Sequence, residues 1–168
     1  MSSKRSGDPF PPVTHHEFRR ACGRFATGVT IASVLDSSGT PHGLTVNSFS
    51  SVSLEPPLVL ICLGHAVTMI DAFRAARYFG LSVLAGNQRE LSERFARKGH
   101  DRFNGAAWHA GETGVPLLDN VLAEIECAVH HRFQAGDHDI LVGEMLAARV
   151  RDGEPLIYYA SRYRRLAR

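Results

Sequence analysis

The sequence of 168 residues lacks the features that mark several specialised classes of protein. It has no strong excess of either charge, since the formal net charge is only +2, and we therefore expect no nucleic-acid partner. Its three cysteines are scattered, without a C-x-x-C pair, which argues against a disulfide framework and a structural zinc site. No apolar run approaches the length that crosses a bilayer, so no membrane association is expected.

The first residues also lack the apolar core of a signal peptide. Prolines stand there among serine and glycine residues, a composition that predicts a flexible N-terminal arm over residues 1–13. The remaining length suits one domain over residues 14–168. Together with the unpaired cysteines, these features predict a cytoplasmic protein.

Motifs for phosphate loops, hydrolases and metal sites are absent as well. No G-x-G-x-x-G follows a predicted strand, and neither a P-loop nor a G-x-S-x-G turn occurs. The nine histidines include two adjacent pairs, His15-His16 and His130-His131, but no metal-ligand spacing. The sequence therefore predicts no metal site and no Ser-His-Asp hydrolase.

Hydrophobic periodicity is present and predicts a few helices. Thr14 and Glu17 have the spacing of a capping box, and apolar residues follow at helical intervals, which predicts a helix over residues 14–26. Two further helices are predicted over residues 67–77 and 88–98.

Short β-branched and apolar runs between turn residues predict most of the remaining chain as strands. These runs cover residues 29–35, 42–46, 58–63, 78–85, 121–133, 140–150 and 155–159. Within 121–133 apolar and polar residues alternate, so we expect one face of that strand to be exposed. Antiparallel hairpins with few helices predict a mainly β fold, a small barrel with peripheral helices.

The segment over residues 43–57 combines hydroxyls with regularly interleaved apolar side chains. As an extended stretch it would offer an apolar wall and hydrogen-bond donors, which a flavin ring and phosphate need. A serine-rich edge strand that satisfies its own turns explains the same residues. Residue types alone leave both interpretations open.

The chain resembles the short-chain NAD(P)H:flavin reductases, the small components of two-component flavin monooxygenases. The matching segments, in collinear order between residues 14 and 166, are 25–30 (FATGVT), 43–59, 79–84, 88–95, 101–103, 136–138 (GDH) with 143–144, and 155–159.

This resemblance implies a Greek-key split β-barrel that forms a homodimer, with flavin near the subunit interface. It implies hydride transfer from NADH or NADPH to FMN or FAD, and supply of reduced flavin to a partner monooxygenase. No catalytic side chain is expected, because the hydride step needs no protein nucleophile or base. The alternatives are a non-catalytic flavin- or haem-binding split-barrel module and an oxidase of the pyridoxamine-phosphate kind.

The resemblance also implies cofactor-binding residues by position. Those for flavin are Thr30, Thr45, Asn47, Ser48, Phe49, Ser50, Ser51, Ser53, Ser82, Val83, Leu84, Gln88 and Phe95. Those for nicotinamide are His138, at the hairpin tip, and Tyr159. Arg162 is expected near a cofactor phosphate.

Overall fold

A computed structural model describes residues 10–99 and 101–166. Most of the predicted arm, residues 1–9, lies outside the described residues, and residues 10–13 are exposed without regular structure. No helix among the described residues is long and apolar enough to cross a membrane.

Strands dominate the described chain, which confirms the prediction of a mainly β fold. The helices are α1 (His15–Cys22), α2 (Ile70–Ala75) and α3 (Arg89–Ala96). The strands are β1 (Thr27–Gly28), β2 (Thr30–Leu35), β3 (Pro41–Val46), β4 (Ser50–Leu54), β5 (Pro57–Gly64), β6 (Tyr78–Val83), β7 (Trp108–Ala110), β8 (Pro116–Leu118), β9 (Ala123–Ala135), β10 (His138–Val150), β11 (Ile157–Tyr159) and β12 (Arg162–Arg164).

The main sheet is antiparallel and curled. Its seven strands have the order β3-β2-β6-β9-β10-β5-β4, so the two edge strands are consecutive in the chain. A flat sheet of seven strands would separate its edges by about 29 Å. The connection over residues 47–49 reaches at most about 14 Å, so the sheet must roll up until its edges approach. The result is an open barrel of the predicted split type.

Two smaller sheets and two clusters of buried side chains complete the fold. One cluster, with Phe73 and Phe79, fills the inside of the rolled sheet. The other lies behind β2, β3 and β6, where Phe95 and Phe103 pack edge to face with ring centroids 5.0 Å apart. The β7–β8 hairpin and α3 form this second layer, and the sheet β1-β11-β12 continues it.

Helix α1 begins as predicted but is shorter. Thr14 caps it, accepting a hydrogen bond from Glu17 N at 3.2 Å, while the Glu17 carboxylate accepts one from Thr14 N at 2.9 Å. It ends at Cys22 because Gly23 O accepts a hydrogen bond from Ala160 N, which turns the chain towards β1. The helix has no buried residue.

The prediction of an exposed polar face on β9 is correct for its second half, where His130 and Arg132 are exposed, and wrong for its first half. Glu124 and Glu126 are buried, because the loop after β7 covers that face of the strand. The carboxylate of Glu126 accepts hydrogen bonds from Glu112 N at 2.9 Å and from Thr113 N at 2.7 Å. Burial raises the pKa of Glu126, but these hydrogen bonds and that of the Thr113 hydroxyl outweigh burial, and the pKa lies below its ordinary value.

Candidate functional site

The hydroxyl-rich segment is not one extended stretch, in contrast to the expectation. Strand β3 ends at Val46, the chain crosses to the other edge of the sheet over residues 47–49, and β4 begins at Ser50. Ser50 and Ser51 are exposed on β4, an edge strand, while Ser53 is half-buried. The segment therefore presents hydroxyls and a free backbone edge to its surroundings.

Ser48 fixes the crossing loop to β5. Its hydroxyl accepts a hydrogen bond from Cys62 N at 2.9 Å and lies 3.3 Å from Cys62 O. The side chain thus replaces a strand partner beyond the end of β4. Phe49 packs against the core inside the barrel, and Asn47, directly before these two anchors, is exposed.

Several predicted residues meet at one end of three neighbouring strands. Thr30, at the start of β2, pairs with Val46 at the end of β3 and with Val83 at the end of β6. Thr30 is buried and Val83 is half-buried. Because Asn47 follows Val46 directly, the predicted residues of all three strands lie at the same end of the sheet.

A cavity of about 200 Å³ opens beside this end of the sheet. Its lining residues are Val29, Thr45, Val46, Asn47, Ser92, Ala96, Tyr158 and Tyr163. The Thr45 hydroxyl donates to Ser92 O at 2.7 Å, and the hydroxyls of Ser92 and Tyr163 lie 2.8 Å apart. The cavity combines apolar walls with hydroxyl and amide groups, as a flavin or nucleotide site does.

Sequence reasoning missed Ser92, Tyr158 and Tyr163 as lining residues of this cavity. In a strand, neighbours point to opposite faces, so the pair Tyr158-Tyr159 had one aromatic on each side. Nothing in the sequence tells which side of β11 faces the cavity, because that depends on its pairing with β1.

A larger cavity, of about 510 Å³, lies past the end of β6. Residues of three loops line it: 85–87, 120–122 and 151–155, together with Arg165. Gln88 shapes its rim, since its side chain accepts a hydrogen bond from Ala85 N at 2.8 Å and donates one to Asp119 O at 3.1 Å. The predicted residue Gln88 therefore supports this loop through both the oxygen and the nitrogen of its side-chain amide.

Three other predicted residues point into the protein. The Ser82 hydroxyl accepts a hydrogen bond from Leu118 N at 3.0 Å, behind the sheet. Leu84 and Phe95 are fully buried in the same layer. Their predicted contribution to cofactor binding would have to act through the residues that they support.

His138 begins β10 at the tip of the β9–β10 hairpin and lies near the Ser48 anchor. It pairs with Gly64, while Cys62, the partner of Ser48, pairs two residues further along β10. Two residues along a strand correspond to about 7 Å. Ser48 and His138 thus lie at the same end of β5, on its two opposite sides, although they are far apart in the chain. The His138 side chain is half-exposed, with Nδ1 2.7 Å from Asp137 Oδ1.

A charged network ties the hairpin tip to α2. Asp139 Oδ2 accepts a hydrogen bond from Arg74 Nε at 2.7 Å, and its Oδ1 lies 2.8 Å from His65 Nε2. The bonds from Arg74 and His65 hold the pKa of Asp139 below its ordinary value. The bond from His138 lowers the pKa of Asp137 in the same way. Both carboxylates are sequence neighbours of His138, but Asp139 contacts other partners.

Tyr159 and Arg162 lie apart from the tip, in the sheet formed by β1, β11 and β12. The Tyr159 hydroxyl accepts a long hydrogen bond, 3.4 Å, from Arg24. Arg162 is exposed. Among the described contacts, none joins Tyr159 to His138 within one chain.

No metal centre is formed within the part of the chain that the structure describes. It contains no group of three or more His, Cys, Asp or Glu side chains able to hold a metal ion. The three cysteines are free: Cys22 is exposed, Cys62 half-buried and Cys127 buried. Burial raises the pKa of the Cys127 thiol to about 12.

Comparison with known proteins agrees with this geometry. A family model described as a flavin reductase like domain matches residues 22–167. The FMN reductase (NADH) SmoA of Agrobacterium fabrum is 43% identical over 151 residues, which cover 90% of this chain and 86% of that protein.

Two solved structures have the same fold. The NADH:FAD oxidoreductase SgcE6 of Streptomyces globisporus, in complex with NAD and FAD fragments, is 40% identical with a TM-score of 0.86, covering 90% of this chain and 92% of that one. Nitrilotriacetate monooxygenase component B of Mycobacterium thermoresistibile is 34% identical with a TM-score of 0.86, covering 90% and 86% of the two chains. The chain therefore belongs to the flavin reductase-like family.

Proposed function

We propose that this protein is an NADH-dependent flavin reductase that supplies reduced FMN or FAD to a monooxygenase component. The observation that carries the proposal is the family match over residues 22–167. The similar proteins support each part of it: one is named an FMN reductase (NADH), one an NADH:FAD oxidoreductase, and one a monooxygenase component. Because two of these relatives are named for NADH, we favour NADH over NADPH as the hydride donor.

The residues at the open end of the sheet fit a flavin. Exposed hydroxyls of Ser50 and Ser51 and the backbone edge of β4 offer donors, and Asn47 offers an amide beside them. Tyr158 and Tyr163 provide aromatic surface in the adjoining cavity, with ring centroids 5.4 Å apart. A bound flavin supplies the hydride acceptor, and these residues would bind and orient it. The buried predicted residues Ser82, Leu84 and Phe95 would keep the layer behind this site rigid.

The chain's contribution to the reaction is orientation rather than acid–base chemistry. Hydride transfer between two bound rings requires their alignment and no protein nucleophile. His138 is the proposed contact for nicotinamide, because it is exposed at the tip and close to the Ser48 loop. Its Nδ1 lies 2.7 Å from Asp137 Oδ1, and Asp139 ties the hairpin to α2, so the backbone that carries the imidazole is fixed. Tyr159 and Arg162 remain predicted contacts.

We further propose that the protein is a homodimer. Large apolar side chains of the described chain are exposed: Phe18, Phe25, Val52, Leu54, Leu146 and Val150. Leu54 is 90% exposed and Val150 is 80% exposed. Large apolar side chains left exposed favour an interface, and β4, which carries two of these residues on an unpaired strand edge, also carries the proposed flavin hydroxyls. A partner on this face would place the flavin site beside the interface.

An assay for NADH oxidation tests the proposed activity. We expect rapid loss of NADH absorbance under air when free FMN or FAD is added, with a slower reaction for NADPH. Heat-denatured protein is the control. A non-catalytic flavin- or haem-binding module would give a spectral shift without NADH loss, and that result would overturn the proposal. An oxidase of the pyridoxamine-phosphate kind would oxidise its own substrate without NADH.

Location in the cytoplasm stays a prediction.

A further inference from the structure

We propose that a basic cavity between α1 and the β11–β12 turn binds the phosphate or pyrophosphate group of a nucleotide. The cavity measures about 250 Å³. Its lining residues are His16, Arg19, Arg20, Gly23, Arg24, Ala160 and Ser161. The proposal rests on the proposed function only for the identity of the nucleotide; the cavity itself is argued from its own groups.

The helix period builds one wall of the cavity. His16, Arg19 and Arg20 stand at positions i, i+3 and i+4 and therefore share one face of α1. Gly23 and Arg24 continue that stripe one turn later. Gly23 has no side chain, so the row of basic side chains is interrupted at this position, which faces the β11–β12 turn.

The opposite wall is fixed to the first by the backbone. Ala160 N donates a hydrogen bond to Gly23 O at 2.9 Å. Ala160 and Ser161 both have positive φ, 48° and 60°, so the turn is tight and carries the exposed Ser161 hydroxyl on its surface. The two walls therefore have a defined separation.

Among the described residues, the donors that line this cavity have no anionic partner. Across residues 10–99 and 101–166, the side chains of Arg19 and Arg20 form no ion pair or hydrogen bond, and neither does the Ser161 hydroxyl. Arg24 donates only to the neutral Tyr159 hydroxyl, at 3.4 Å. No Asp or Glu lines the cavity. Three arginines thus line one concave site of a chain whose net charge is only +2.

These groups match the several oxygens and the multiple charge of a phosphate. A guanidinium presents a planar fork that binds phosphate oxygens in pairs, and a concave basic site concentrates the field on a small anion. The cavity is too small for a peptide and too short for a nucleic-acid backbone, which needs an extended basic stripe. The contact between Arg24 and Tyr159 connects it to a predicted nicotinamide residue.

A simpler explanation accounts for part of this arrangement. Arg19 and Arg20 lie in the last turn of α1, where cations stabilise the helix dipole. That effect does not require the four basic side chains to converge with Ser161 around one space. A binding measurement separates the two, because a dipole effect gives no affinity for a ligand.

Isothermal titration of the full chain tests the site with three probes: inorganic pyrophosphate, ADP-ribose and FMN. The test variant is the double substitution Arg19→Gln with Arg20→Gln, and the matched control is Arg97→Gln, an exposed arginine outside the cavity. We expect the double variant to bind pyrophosphate about tenfold or more weakly, the effect of losing charge-assisted hydrogen bonds. The control should bind like the unmodified chain.

The three probes also separate the sources of the phosphate. A matching loss for ADP-ribose assigns the cavity to the pyrophosphate of a dinucleotide, and a matching loss for FMN assigns it to the flavin phosphate. Three outcomes would overturn the proposal. The unmodified chain could fail to bind pyrophosphate, the double variant could bind it with unchanged affinity, or Arg97→Gln could lose as much affinity as the double variant. Circular dichroism should show equal helix content in all three proteins. Failure of the NADH oxidation assay would refute the proposed function but leave the pyrophosphate result decisive for the cavity.

Discussion

His138 is the residue whose surroundings say most about the reaction. It stands at an exposed tip, with Nδ1 2.7 Å from Asp137 Oδ1, and it lies across β5 from the Ser48 anchor, two residues further along that strand. Most histidines at hairpin tips are simply solvated, and His130, further along the same hairpin, is exposed and contacts only its neighbour His131. The two histidines of one hairpin therefore provide a test residue and a control.

Replacement of His138 by alanine should raise the KM for NADH about tenfold, the effect of one lost hydrogen bond to a charged group. Flavin affinity should not change, because the proposed flavin residues lie on β4 and at the end of β3. Steady-state kinetics with NADH varied, and a fluorescence titration with FMN, measure the two effects. His130→Ala should leave both unchanged. An unchanged KM in the His138 variant would show that this side chain does not contact nicotinamide.

Asp139 should make stability depend on pH in acid. Its folded-state pKa is lowered by Arg74 and His65, so its contribution is present above the unfolded pKa, about 3.9, and is lost as pH falls through the folded pKa. Asp139→Asn should therefore lower Tm at neutral pH, and the difference from the unmodified chain should shrink below about pH 4. Thermal unfolding at several pH values measures this.

The control for that experiment is Asp71→Asn. Asp71 is 92% exposed and lies 3.9 Å from the same Arg74, so it should change Tm little at any pH, as expected of an exposed ion pair. Equal effects of the two substitutions would mean that Arg74 and His65 do not lock the tip through Asp139.

At the scale of the elements, strand periodicity and caps predicted most of the structure. The capping box of α1, the hairpin turns and the runs of strand were correct because each depends on neighbours in the chain. The buried face of β9 and the break at residues 47–49 were not predictable in this way, because each depends on what packs from elsewhere. The same reason explains why Tyr158 and Ser92 were missed at the cavity.

The crossing loop should depend on Ser48 for its position. Ser48→Ala leaves Cys62 N without its partner, and we expect a loss of about 1 kcal/mol in the free energy of unfolding. Urea denaturation measures it, and the FMN affinity should fall as the loop loosens. Ser50→Ala is the control, because its exposed hydroxyl bonds only the neighbouring Ser51 O at 3.1 Å and should not alter stability. An equal unfolding midpoint for both variants would show that the loop is held by other contacts.

At the scale of the whole molecule, exposed apolar residues lie on the two strands that flank β5, namely β4 and β10. The register aligns Ser53 of β4 with Leu58 of β5 and Glu144 of β10. Leu54 therefore lies one residue from this row on β4, and Leu146 lies two residues from it on β10. An apolar area that includes an unpaired strand edge favours association with a second copy about a two-fold axis.

The oligomeric state tests this directly. Leu54→Glu places a charge in the proposed interface at a side chain that is 90% exposed, so the single chain should remain folded. We expect sedimentation to show a dimer for the unmodified chain and a monomer for the variant. The variant should also bind flavin more weakly, because the partner subunit would no longer cover the adjoining serines of β4. Lys98→Glu, an exposed charge reversal after α3, should remain dimeric. A dimeric Leu54→Glu variant would place the interface elsewhere. A monomeric unmodified chain would show that no such interface exists, and the flavin site would then be complete within one chain.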